Sequence, residues 1–131
     1  EAAGQSGAAH LGPELEALAG AAGGLRALHA VRALAHLGRF TPATFLRAVG
    51  HPDPEVVKEA LLAGATLTEG VEPAVSLLEH RRWDLRAAAA RLLGASGGSD
   101  CRLAVEAALV KESDPLAREA LTEAAALLAR R

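Results

Sequence analysis

Four prolines in this chain follow directly on a polar residue and open a run of apolar residues at helical spacing: Thr41-Pro42, Asp53-Pro54, Glu72-Pro73 and Asp114-Pro115. This arrangement constrains the fold more than any other feature. A Thr or Asp before a helix accepts hydrogen bonds from the unpaired N–H groups of the first turn, and a proline at the first helical position gives up no intrahelical bond. Glycines close the intervals, as at Gly12-Pro13, where one segment begins, and Gly23-Gly24, where it ends. Between these marks apolar residues recur at steps of three and four. The last segment carries Ala117, Ala120, Leu121, Ala124, Leu127 and Leu128 as one stripe. Val57, Ala60, Leu61 and Gly64 repeat it, as do Leu85, Ala89, Leu92 and Leu93. The pattern predicts eight helices, near 13–22, 25–38, 42–50, 54–67, 71–80, 84–95, 100–111 and 114–130.

Composition agrees with an all-α chain. The 131 residues include 32 Ala and 22 Leu but only eight Val, two Phe and one Trp, with no Ile, Tyr or Asn. Ala and Leu favour helices, and the β-branched and aromatic residues that favour strands are scarce. Small side chains let helix axes approach closely while each buries little surface. The stability of such a chain must therefore come from many modest contacts, as in stacked repeats.

The second helix of each predicted pair shares a signature around a basic residue: Val31-Arg32-Ala33-Leu34, Val57-Lys58-Glu59-Ala60-Leu61, Leu85-Arg86-Ala87-Ala88 and Ala117-Arg118-Glu119-Ala120-Leu121. A small residue follows six or eight positions later, at Gly38, Gly64, Gly94 and Ala124. Self-similarity at this period predicts stacked helical hairpins, because one hairpin alone cannot bury its apolar face. The repeats fall near 11–39, 40–67, 68–97 and 98–131, and residues 1–10 are expected to be a linker or tag remnant.

The segments HPDPEVVKEAL and ESDPLAREAL resemble the second helix of HEAT-like repeats, in the short form of about 30 residues found in bilin-lyase-like repeat proteins. The shared pattern is an Asp-Pro turn, then an apolar-basic pair, then Ala and Leu at helical spacing. It covers residues 24–131 well and 11–23 poorly; the third repeat has Trp83-Asp84 where the others have Asp-Pro. The resemblance implies a right-handed α-solenoid of about four antiparallel helix pairs, with second helices on the concave face. It also implies that Arg32, Lys58, Arg86 and Arg118 form a ladder with the turn acids Asp53, Asp84 and Asp114. Leucine-rich, tetratricopeptide and ankyrin repeats fit worse, lacking here the Asn ladder, the Tyr pattern and the TPLH signature.

Charge and chemistry narrow the function. Formal net charge is −2, so no global attraction to nucleic acid or anionic lipid is expected. No stretch approaches the roughly 18 apolar residues of a membrane span. The start of the chain lacks the pattern of a secretory signal. One cysteine, Cys101, admits no internal disulfide and suits a reducing, cytoplasmic setting as a small buried residue. With no methionine, the chain is expected to be a fragment of something larger, and its Ala, Gly, Leu and Arg bias suggests a GC-rich bacterial source.

Gly94-Ala95-Ser96-Gly97-Gly98 matches the Gly-x-Ser-x-Gly nucleophile elbow in letters, but that motif needs a strand to deliver its serine and a helix precedes it here. A helix end followed by a loop accounts for these glycines. Among His10, His29, His36, His51 and His80, none sits in a His-Glu dipeptide. The iron chemistry of deoxyhypusine hydroxylase, a HEAT-like enzyme, is therefore not carried over. His29 and His36 share a helix face and are expected to be one surface and one packed side chain rather than a metal pair. No metal or cofactor is expected.

Residues 80–102 hold five arginines against Asp84 and Asp100, while 51–79 hold six acids against Lys58. Adjacent basic and acidic patches suit a protein partner better than a duplex, which asks for many phosphate contacts; the groove of HEAT-like alkylpurine glycosylases is the comparison that fails. Trp83 stands beside Arg81 and Arg82 at a turn, a place where Trp and Arg serve as binding anchors. The expectation is a non-catalytic protein-interaction scaffold, with Trp83, Arg82, Arg86, Glu55 and Glu59 as contact residues. The alternatives are a bilin-lyase-like enzyme, implied by repeat type alone, and a nucleic-acid-binding HEAT-like domain. The sequence sets neither the partner nor an oligomeric state.

Overall fold

A computed structural model describes residues 23–131, and these divide into two compact units, one ending at Thr66 and one running from Leu67 to Arg131. Every regular element among them is helical. The predicted helix near 13–22, the segment 1–10 and His10 lie outside the described residues.

The first unit contains α1 (Gly24–His36), α2 (Pro42–Val49) and α3 (Pro54–Ala63), the last continuing into a 3-10 turn over Gly64–Thr66. The capping reading holds in atomic detail at Thr41, Asp53 and Asp114 but not at Glu72-Pro73, where Glu72 lies inside the helix behind Val71 and no side chain caps it. Thr41 Oγ1 accepts from the N–H of Thr44 at 3.2 Å, and Asp53 Oδ1 from the N–H of Glu55 at 2.9 Å, each ahead of a proline at the helix start. At the other end of α1, Gly38 takes φ +70. Its N–H reaches Ala35 O at 3.1 Å and that of Arg39 reaches Leu34 O at 2.8 Å, a helix stop that a side chain would strain. The buried face of α1 (Ala27, Ala30, Val31, Leu34) meets that of α3 (Val56, Val57, Ala60, Leu61), and α2 packs on α3 through Phe45 and Ala48. Phe40 stands edge-on to Phe45 with ring centroids 6.3 Å apart.

The second unit contains a 3-10 helix over Glu72–Glu79, then α4 (Trp83–Ser96), a 3-10 turn over Ser99–Cys101, α5 (Arg102–Lys111) and α6 (Pro115–Ala129). The predicted α-helix near 71–80 is thus wound more tightly than expected. Two hairpins form, the 3-10 helix with α4 and α5 with α6; the most extensive packing lies between the two second helices, α4 and α6. That contact is close because small residues meet. A Cβ added at Gly94 would stand 2.9 Å from Ala124 Cα and 3.1 Å from its Cβ. Leu85 and Leu93 of α4, Val105 of α5, and Leu121 and Leu128 of α6 fill the rest of the core. Cys101 is buried there as expected, which raises its thiol pKa through desolvation and the nearby Asp100. The Gly94–Gly98 run is the end of α4 and the loop after it. Arg131 closes that end, its guanidinium donating to the carbonyls of Gly97 (2.8 Å), Gly94 (2.8 Å) and Ala95 (3.0 Å).

Candidate docking surface and the turns that support it

One hydrogen-bond scheme recurs at three hairpin turns. At His51 the backbone N–H reaches back to Ala48 O (3.1 Å), while the ring Nδ1 accepts from the N–H of Asp53 (3.0 Å). At His80 the N–H reaches Leu77 O (3.1 Å), and Nδ1 accepts from the N–H of Arg82 (3.0 Å). At Glu112 the N–H reaches Leu109 O (3.3 Å), and Oε2 accepts from the N–H of Asp114 (3.0 Å). The donor is in each case the residue that caps the following helix. Sequence reasoning named none of the three acceptors for this role. The available signal was a His or Glu placed two residues before each cap, obscured because two residue types serve one purpose.

The expected ladder takes a different form. Arg86 pairs with Glu112, not with a turn aspartate, by Nε–Oε1 at 2.7 Å and Nη2–Oε2 at 2.9 Å; its Nη1 holds the carbonyls of His80 (2.8 Å) and Arg81 (3.0 Å). Arg118 donates to the carbonyls of Glu112 (3.1 Å) and Leu109 (3.0 Å). Arg32 pairs with Glu59 at 3.1 Å. Asp84 binds Arg82 in a two-point bridge (3.0 and 2.7 Å), while Asp53 and Asp114 serve as helix caps. The reason is reach. A carboxylate one methylene longer, set two residues before the cap, can face the arginine and the cap N–H together, whereas an aspartate at the cap is turned into its own helix. Lys58 sits one residue further from its turn than Arg86 and Arg118 do, because the second repeat has an extra residue between cap and basic position.

The Glu112 side chain is 3% exposed, and the Arg86 hydrogen bond and two backbone N–H groups hold its carboxyl below the usual carboxylate range against the opposing effect of burial. The same bond raises the Arg86 pKa. Burial, Arg81 and Arg82 lower the pKa of His80.

Two concavities flank these turns, one in each unit. A groove of about 430 Å³ lies between α1 and α3, lined by Leu25, Leu28, Arg32, Glu55, Glu59 and Leu62 among others. A cleft of about 390 Å³ in the second unit is lined by His80, Arg81, Arg86, Lys111, Glu112 and Ser113 with their neighbours. Of the residues singled out for partner contact, Glu55 and Glu59 share the groove and Arg86 lines the cleft, while Arg82 and Trp83 line neither. Trp83 opens α4 and is 43% exposed. Arg86 and Arg82 spend their donors inside the fold, so the exposed Arg81, which the sequence places beside Trp83, and the exposed Lys111, which the sequence reading did not name and which lies 3.7 Å from Glu79, are the cations better placed to meet a partner. His29 and His36 are both exposed, off the buried face of α1, where one packed side chain was expected. Among the described residues no group of three or more His, Cys, Asp or Glu is placed to hold a metal ion, and no helix is long and apolar enough to cross a membrane.

No protein-family model, no curated protein and no solved structure matches this chain.

Proposed function

We propose that this chain is a non-catalytic protein-interaction module of the cytoplasm, built as a right-handed α-solenoid of HEAT-like helix pairs whose second helices face the partner. The observation that carries the reading is the recurrence of one turn scheme at His51, His80 and Glu112. Hairpins made to one plan, with α1 on α3 in one unit and α4 on α6 in the other, support a stacked-repeat architecture. In such a stack the polar groups of each turn are satisfied internally, and the outward side chains are left to serve recognition.

Trp83 is the anchor of the docking face in the second unit, where Arg81 and Lys111 line the cleft; in the first unit, taken by itself, Glu55 and Glu59 line the groove. Exposed apolar surface rimmed by charge is the surface chemistry of protein partners. The bilin-lyase-like activity implied by repeat type has no residue of its own here to support it, since architecture does not carry chemistry. The test is capture of partner from a native extract by the wild type and by the double variant Trp83→Ala, Arg81→Ala, with helicity followed by circular dichroism. Helicity should stay level and capture should fall by roughly tenfold or more, the scale of an interface hot spot. Capture that survives both substitutions removes this face from the proposal, and retention on heparin at moderate salt would redirect the reading to nucleic acid.

A further inference from the structure

The His80 turn has a property that the Glu112 turn lacks. An imidazole whose Nδ1 accepts from a backbone N–H is neutral, with its own proton on Nε2. Arg82 N–H to His80 Nδ1, at 3.0 Å, therefore exists only in the unprotonated ring. A proton added at Nδ1 sets donor against donor, and the residue that caps α4 loses its partner. The equivalent bond from Asp114 ends on a carboxylate oxygen, which stays an acceptor far into the acid range.

We infer that the His80 turn is a proton-operated latch on the start of α4: protonation of Nδ1 breaks the bond from the Arg82 N–H and releases that cap residue from the ring, while the Glu112 turn stays closed. The inference goes beyond the interaction reading and does not depend on it.

The charges around the ring set the direction. Arg81 and Arg82 flank it in its own turn, Asp84 and Arg86 face it from α4, Lys111 and Glu112 line the same cleft from the end of α5, and Glu79 precedes it at the end of the 3-10 helix. Burial lowers its proton affinity below the ordinary 6.5, Arg81, Arg82 and Arg86 add to that, and Asp84 opposes them. The latch is closed at neutral pH and opens only as pH falls below 6.5. Its reach is local, because Arg86 keeps its two-point bond to Glu112 and marks the boundary beyond which the hairpins stay docked. The carbonyls of His80 and Arg81 stay held by Arg86 Nη1, so what opens is the Arg82 N–H at the start of α4.

Amide hydrogen exchange of the intact chain tests this, followed by NMR from about pH 8 to about pH 5 alongside the His80 imidazole titration. The Arg82 amide should lose protection roughly tenfold per pH unit over the range in which His80 takes up its proton, after correction for intrinsic exchange. The Asp114 amide should keep its protection throughout. In His80→Asn, whose side-chain oxygen can still accept but cannot titrate, the Arg82 amide should show no such dependence. The latch is refuted if His80 titrates with Arg82 protection unchanged, if Arg82 and Asp114 lose protection together, or if the pH dependence persists in His80→Asn.

Discussion

The two units solve one problem with different means. Both stack short, alanine-rich helices that bury little area apiece. The first unit gains an aromatic contact between Phe40 and Phe45 and carries an ion pair whose arginine is mostly in water, with Arg32 at 56% and Glu59 at 20% side-chain exposure. The second unit has no aromatic in its core, since its only aromatic residue, Trp83, is 43% exposed. It draws helices together through Gly94 and Ala124 and ties its turns with the sheltered Arg86–Glu112 pair. Where side chains cannot supply bulk, close approach and a fully bonded polar node supply rigidity instead.

The sharpest way to break this contrast is to spoil the close approach. Gly94→Val should cost about 3 kcal/mol or more, because its added carbons meet the Ala124 backbone and not the tip of a flexible side chain. In the first unit Gly50 has only backbone oxygens at 3.6 and 3.8 Å around an added Cβ, so Gly50→Ala should stay within about 0.5 kcal/mol. Urea denaturation midpoints check both. Equal losses would show that the second unit is not packed more tightly than the first at these glycines.

Next in size is the polar node. Glu112→Gln leaves Arg86 sheltered without its charge partner and should cost about 2–3 kcal/mol. The pH profile carries the same information. The folded carboxyl titrates below its ordinary 4.5, so its stabilisation is complete above that value and is lost as pH falls through the lower folded pKa. His80 acts in the same direction but earlier: the unfolded ring binds its proton first, so stability begins to fall as pH drops below 6.5. An acid limb in denaturation that Glu112→Gln leaves unchanged would show that the node is not what holds the second unit in acid.

The caps come third, and here the units should agree. Asp53→Ala and Asp114→Ala each remove one side-chain acceptor from a helix start and should each cost about 1 kcal/mol. Thermal midpoints of the two variants, compared at one protein concentration, would expose any difference.

How far the sequence disclosed these arrangements depends on the range of the interaction. Caps are local, so Thr-Pro and Asp-Pro pairs announced the starts of α2, α3 and α6 to within one residue. The small residues at Gly94 and Ala124 were visible as a periodic feature, and the structure shows them to be partners. Arg86–Glu112 spans 26 residues, and no local pattern tells a glutamate from an aspartate two places on as the true partner. The histidine acceptors escaped because their role lies in a ring nitrogen facing a backbone N–H, which leaves no trace in hydrophobic periodicity. The tight winding of Glu72–Glu79 was hidden for the same reason, since its apolar spacing of Ala74, Leu77 and Leu78 fits an α-helix equally well.

The smallest expected effect is the most delicate test of the contrast. Arg32 Nε stands 3.1 Å from Glu59 Oε1, with more than half of the arginine side chain in water. Water and salt screen such a pair, and ordering two long side chains offsets much of the attraction, so Arg32→Ala should change stability by no more than about 0.5 kcal/mol. Measured at low and at high salt, the wild type and the variant should converge as salt rises. A cost above about 1 kcal/mol that persists in high salt would mean that the pair is a shielded tie of the kind Arg86 makes with Glu112, and that the two units are held by the same device after all.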